Sequence, residues 1–170
     1  YLYSVAIAQA TQIVVGYLVG RNELDSVRAR VWRSVLASIA VSESLNLLIY
    51  VFAAPIFGIF TQDPAIIALA RQIILVEFAL ELGRSVNITM VRCLIAVGDV
   101  RFPVGAALFS TWFIAVGLGW LLGVHFGMGL VGLWIGMAAD ECFRGLLFVL
   151  RFRAGGWQRF AEKAQGAMHA

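Results

Sequence analysis

The chain has 170 residues and a net charge of +3, and 61% of it is hydrophobic against 14% charged; its mean hydropathy is +0.88. Water-soluble domains are about half apolar and about a quarter charged. A helical chain of this length could not bury so much apolar surface, so the composition excludes a soluble globular domain and points to an all-α, polytopic membrane protein.

A span needs about 20 apolar residues, and five are predicted, at about 2–20, 34–59, 66–91, 103–124 and 128–150. Tyr1 leads straight into the first, without a basic segment or a small-residue cleavage site, so a signal peptide is not expected. The chain is expected to be a fragment whose upstream part is missing. The first span carries Gln9, Thr11 and Gln12, which can hydrogen-bond between helices or line a path. Glu43 stands in the second span with Ser42, Ser44 and Asn46 as hydrogen-bonding neighbours. Asp63-Pro64 reads as an N-cap with Pro at the first helical position, opening the third span. Gly98-Asp99 and Pro103 punctuate the approach to the fourth, and His125–Gly129 is a short Gly-rich turn before the fifth. Residues 1–150 are read as one transmembrane bundle. Residues 151–170 are read as a basic cytoplasmic tail, whose Trp157, Phe160 and Lys163 anchor it along the inner leaflet.

Cation positions give a direction. Twelve of the thirteen cations are Arg. Arg21, Arg28, Arg30, Arg33, Arg92, Arg101, Arg151, Arg153, Arg159 and Lys163 all fall on one side of the five spans. The connections 60–65 and 124–127 hold none. The excess of Lys and Arg on cytoplasmic loops then places the 21–33 loop and the C-terminus in the cytoplasm. These cations read as topology signals, and with no Gly-rich phosphate loop or basic-aromatic RNA motif, no nucleic-acid partner is expected. Cys93 and Cys142 read as small apolar residues; no disulfide framework, metal site or cofactor is expected.

The informative residues are charges inside spans. Glu77, Glu81 and Arg84 stand at i, i+4 and i+7, on one helix face. Asp140 and Glu141 precede Arg144 by four and three positions. If the two helices touch, an acid–Arg network links them, and Arg84 and Arg144 read as its supporting ion pairs. Five acids (with Glu43) face two cations within spans, Arg71 standing just inside the outer end of the third. A medium of low dielectric does not tolerate three uncompensated anions, so some acids carry a proton or a bound cation. Glu81, Asp140, Glu141 and Glu77 are therefore the ion-coupling candidates, with a structural clamp as the competing role. Gln9, Gln12 and Asn87 are path-lining candidates. Glycine pairs at Gly16 and Gly20, Gly119 and Gly123, and Gly132 and Gly136 allow close helix approach. Trp112, Trp120 and Trp134 read as packing or interfacial residues. Ser85 and Ser110 have no intramembrane His beside them, so no catalytic residues are expected and an enzyme is not.

Four strings carry a family likeness: Ile7–Ile13 with Val15–Arg21; Phe60–Pro64; Glu81–Asn87 followed by Gly98–Pro103; and Gly129–Trp134 running into Asp140–Gly145. Together they resemble the C-terminal part of the multidrug and toxic compound extrusion (MATE) family of transporters. The resemblance implies twelve helices in two six-helix lobes forming an inverted V, with this chain holding helices eight to twelve. It implies exchange of protons or sodium for cationic or amphiphilic small molecules, with membrane lipid and the missing N-terminal lobe as partners and a bacterial inner membrane as location. Two other readings compete: a lipid-linked oligosaccharide flippase of the same superfamily, which would face more cations to its cavity, and a non-transporting membrane subunit.

Overall fold

In hydrocarbon every backbone polar group must find its partner within the protein, and helices do this within one segment. The computed structural model describes residues 2–168, and regular structure there is helical: α1 (Leu2–Gly20), α2 (Leu24–Val51), α3 (Ala53–Gly58), α4 (Pro64–Ala96), α5 (Arg101–His125), α6 (Gly129–Arg153) and α7 (Gly156–Met168). Three of these, α1, α2 and α5, are long and apolar enough to cross a membrane by length and composition. The other two long helices, α4 and α6, have 33 and 25 residues, enough to span, and they carry the internal charges. They take the centre: α4 packs against α1, α2 and α6, and α6 packs in turn against α5. The helices with the long apolar stretches thus flank the two that carry the paired charges.

Several boundaries differ from those read in the sequence. The predicted 21–33 loop is only the turn Arg21-Asn22-Glu23, with Asn22 at φ 60°, a left-handed conformation that Asn tolerates after a helix end. Residues 24–33 are helical because Val27 and Val31, one turn apart, bury against Val15 and Val19 of α1; Arg28, Arg30 and Arg33 occupy the exposed face. The predicted second span, 34–59, breaks at Phe52. Pro55 has no N–H for the Val51 carbonyl and its ring crowds that group, so α2 stops at Val51 and α3 restarts at Ala53. Asp63 does cap α4, accepting a 2.8 Å bond from the Ala65 N–H, with Pro64 in the first turn. The α4–α5 turn passes through Gly98 at φ 90°, where a side chain would be strained. Pro103 lies within the first turn of α5, where its missing N–H costs nothing. Further on, α5 is wound as π-helix at Thr111–Val116 and Leu121–His125.

The predicted boundary at residue 150 also moves. Helix α6 continues to Arg153, and α7 turns back onto the bundle. Trp157 is 1% exposed, its ring stacked on Phe152 at 5.1 Å between centroids, inside the same core as Leu94 and Phe148. The tail is therefore docked through Trp157 rather than only laid on a leaflet. Tyr1, Ala170 and His169 lie outside the described residues.

Glycine decides how closely the helices approach. A Cβ at Gly132 would sit 2.6 Å from the Gly123 backbone N, and one at Gly136 would sit 2.6 Å from the Gly119 Cα. These two predicted pairs form the α5–α6 crossing. The third, Gly16 and Gly20, meets nothing within 4 Å among the described residues, so it does not bring helices together here. Gly83, not singled out in the sequence, does: its Cβ would lie 2.6 Å from the Cys142 backbone N. Because these neighbours are backbone and cannot move aside, Gly132→Ala should destabilise the full-length protein by about 1–3 kcal/mol. Gly105→Ala, in open space within α5, should cost nothing and gain up to about 1 kcal/mol of helix propensity. Thermal melting of both variants in detergent checks the contrast.

Candidate functional site

The α4–α6 contact brings the charged ladders of both helices together. On α4, Arg84 pairs with Glu81 one turn before it and lies 3.6 Å from Glu77 Oε1. Across the interface its Nε stands 3.7 Å from Glu141 Oε1. On α6, Arg144 pairs with Asp140 and reaches the same Glu141 oxygen at 3.3 Å. Glu141 thus lies between two guanidiniums, and its other oxygen accepts a 2.6 Å bond from Asn87 Nδ2. Asp140 also accepts a hydrogen bond from Ser110 of α5. The result is one chain of alternating charge running from α4 through α6 to α5. Glu81 and Asp140 are only 3% and 4% exposed.

Neutral donors take the remaining carboxylate oxygens. Trp134 Nε1 donates to Glu77 Oε2 at 2.7 Å. Tyr3 and Ser42 donate to Glu81 Oε2 at 3.3 and 3.2 Å, and Ser42 in turn lies 2.8 Å from Ser85. A cavity of about 410 Å³ opens beside these groups, with Glu77, Glu81, Tyr3, Trp134 and Asn46 among its walls. Four carboxylates share two guanidiniums here, so charge is not balanced by Arg alone. Aromatic Tyr3 and Trp134 among the walls beside the acids suit a cation with apolar parts.

Not every expected residue joins. Gln9 is exposed on α1, and Gln12 accepts a 3.5 Å contact from Arg92, away from the acids; of the three path-lining candidates only Asn87 enters the network. Glu43 does not bond to its expected neighbours. Ser42 is engaged with Glu81, Asn46 donates to the Glu77 carbonyl at 3.3 Å, and Glu43 Oε1 is buried without a hydrogen bond among the described residues. Trp112 and Trp120 are exposed, whereas Trp134 serves Glu77. Sequence reading passed over Tyr3 and the Trp134 indole as acid partners, and it set Ser42 beside Glu43 where the structure pairs it with Glu81. The signal available was their placement: each is a donor at the same helical level as Glu77 or Glu81. Cys93 is buried and Cys142 exposed, both as free thiols.

A helical bundle with a charged centre screened by apolar helices defines the class, a polytopic membrane protein. Residues 1–121 match the family model described as MatE, and the chain belongs to this family of membrane transporters. Among its relatives, an uncharacterized transporter YisQ of Bacillus subtilis is 38% identical over 156 residues, covering 92% of this chain and 34% of the relative. A probable multidrug resistance protein NorM of Xanthomonas campestris is 32% identical over 156 residues, 90% of this chain and 33% of the relative. One of the same description from Thermotoga maritima is 26% identical over 161 residues, 95% of this chain and 35% of the relative. The chain spans about a third of the length of these curated relatives.

Removing one partner of a buried ion pair leaves an uncompensated charge. Arg144→Leu, which leaves buried Asp140 without its guanidinium, should therefore cost the full-length protein about 3–5 kcal/mol. Adding Asp140→Asn should restore part of that loss. Denaturation of the single and double variants in micelles measures the coupling.

Proposed function

We propose that this chain forms part of a secondary antiporter that exports cationic or amphiphilic compounds in exchange for protons or sodium. The carrying observation is the cavity of about 410 Å³ whose walls include Glu77 and Glu81, backed by a ladder with more carboxylates than guanidiniums. An acid left over from Arg pairing can take up a proton or a cation, and when it lines a cavity that exchange competes with binding of a cationic solute. In this reading Glu81 and Glu77 meet solute and coupling ion, while Asp140 and Glu141 complete the ladder. Arg84 and Arg144 hold it in register, and Asn87 fixes Glu141. Relatives described as probable multidrug resistance proteins support the substrate class. No catalytic role is proposed, since Ser85 and Ser110 are committed to Ser42 and Asp140.

Alternating access in such carriers rocks one half against another around a central site, so we propose that sequence outside these residues supplies the opposing lobe. The Arg-rich turns and α7 are proposed to face the cytoplasm of a bacterial inner membrane, by the distribution of cations. The flippase reading is disfavoured by the cavity lining, which includes no Arg or Lys among the described residues. In vesicles holding the full-length protein, a proton or sodium gradient should drive efflux of a fluorescent organic cation. Glu81→Gln should bring that efflux down to the rate without a gradient. Efflux retained in the variant would move the coupling group to Asp140 or beyond this chain, and no efflux under either gradient would overturn the antiporter reading.

A further inference from the structure

A second polar centre lies at the other end of α4, where its turn into α5 meets the junction of α6 and α7. Asp99 is 2% exposed and accepts a 2.9 Å bond from Arg151 Nε. The Arg151 guanidinium carbon stands 4.8 Å from the Phe102 ring centroid and 6.0 Å from that of Phe160. One hydrogen bond and two aromatic rings therefore fix this cation, and its two terminal nitrogens have no acceptor among the described residues. Two cavities, about 460 and 330 Å³, share Arg151 and Phe160 as walls. Arg101 lines the first, and Arg159 and Lys163 line the second. The acid in the lining, Asp99, is already committed to Arg151. Arg153 is directed elsewhere, over the Trp32 ring at 5.2 Å.

The surroundings of this basic cleft decide what kind of anion fits it. From Arg101 the exposed face of α5 continues through Val104 and Leu108, at i+3 and i+7, so an apolar stripe leads away from the cations along the helix. A charged cleft at a helix end that continues into an exposed apolar stripe matches an amphiphile with an anionic head. Fixed guanidiniums recognise phosphate oxygens in a fork geometry, and cations beside a span favour anionic headgroups. We propose that this cleft binds the phosphodiester headgroup of an anionic phospholipid, with Arg151 as the fixed contact, Arg101, Arg159 and Lys163 closing around it, and the acyl chains along α5. The site is separate from the α4–α6 ladder and does not depend on the antiporter reading.

The test uses purified, delipidated full-length protein. Native mass spectrometry counts bound phosphatidylglycerol and phosphatidylcholine, with water-soluble glycerophosphoglycerol as competitor. Arg151 is left intact, because its loss would strand buried Asp99. The wild type should retain phosphatidylglycerol in preference to phosphatidylcholine. Arg159→Gln/Lys163→Gln should weaken the phosphatidylglycerol adduct roughly 30-fold for the two charges removed, with phosphatidylcholine unchanged. Arg101→Gln, in the adjoining cavity that shares Arg151 and Phe160, should weaken it in the same direction, and it decides the matter if the double variant does not fold. Equal retention of the two lipids, or undiminished phosphatidylglycerol binding in the variants, would overturn the proposal. Competition by glycerophosphoglycerol at concentrations matching the lipid would reassign the cleft to a free phosphodiester and equally overturn it.

Discussion

Glu141 is shared by two guanidiniums on two helices, and the interior of the bundle depends on that sharing. Arg84 alone would hold the acids of α4, and Arg144 alone would hold Asp140. Each would leave a local cluster on its own helix. Because both also reach Glu141, the two helices become electrostatically one unit, and Asn87 sets the orientation of the bridging carboxylate. Buried ions on this scale are expensive unless geometry and additional hydrogen bonds repay their desolvation. Here Tyr3, Ser42 and Ser110 supply those bonds from three further helices, and Trp134 supplies one from α6 itself.

That bridge has a steric precondition. Asn87 and Ser110 are short side chains, and their bonds to Glu141 and Asp140 need helices closer than the wide end of the usual interaxial range of about 8–10 Å. Gly83 and Gly145 remove the bulk at the α4–α6 contact, where a Cβ on Gly145 would lie 3.2 Å from the Gly83 carbonyl. Gly132 and Gly136 do the same on the α5 side, which brings Ser110 within reach of Asp140. Small residues and charges are thus parts of one device: the glycines set the spacing and the ions set the register.

Much of this was legible in the residues. The i, i+4, i+7 ladder of α4 and the acid–Arg spacing of α6 put charges on single helical faces, and composition demanded that such faces be covered. The family likeness in four strings agreed with the matched family. What the sequence hid was tertiary. Hydropathy marks apolar runs, so it missed the amphipathic extension of α2 through Val27 and Val31 and cut α6 short of Arg153. It read Asp99 as turn punctuation, because nothing local shows that Arg151, 52 positions away, closes on it. Trp157 looked like an interfacial anchor since its partner Phe152 is seen only once α7 folds back. Gln9 and Gln12 drew notice as polar residues in an apolar helix, but they stand on a different face and level from the acids.

The length of α4 carries a consequence for depth. Its 33 residues rise about 50 Å, well beyond the roughly 30 Å hydrocarbon thickness. Arg71, over the Tyr50 ring, and Arg92, bonded to Gln12, are separated by about 31 Å of helix rise, close to that thickness. Glu81 is ten positions from the first and eleven from the second. The carboxylate therefore stands almost midway between these two arginines along the helix. Sidedness at this acid is then a property of the openings around it, not of its own position.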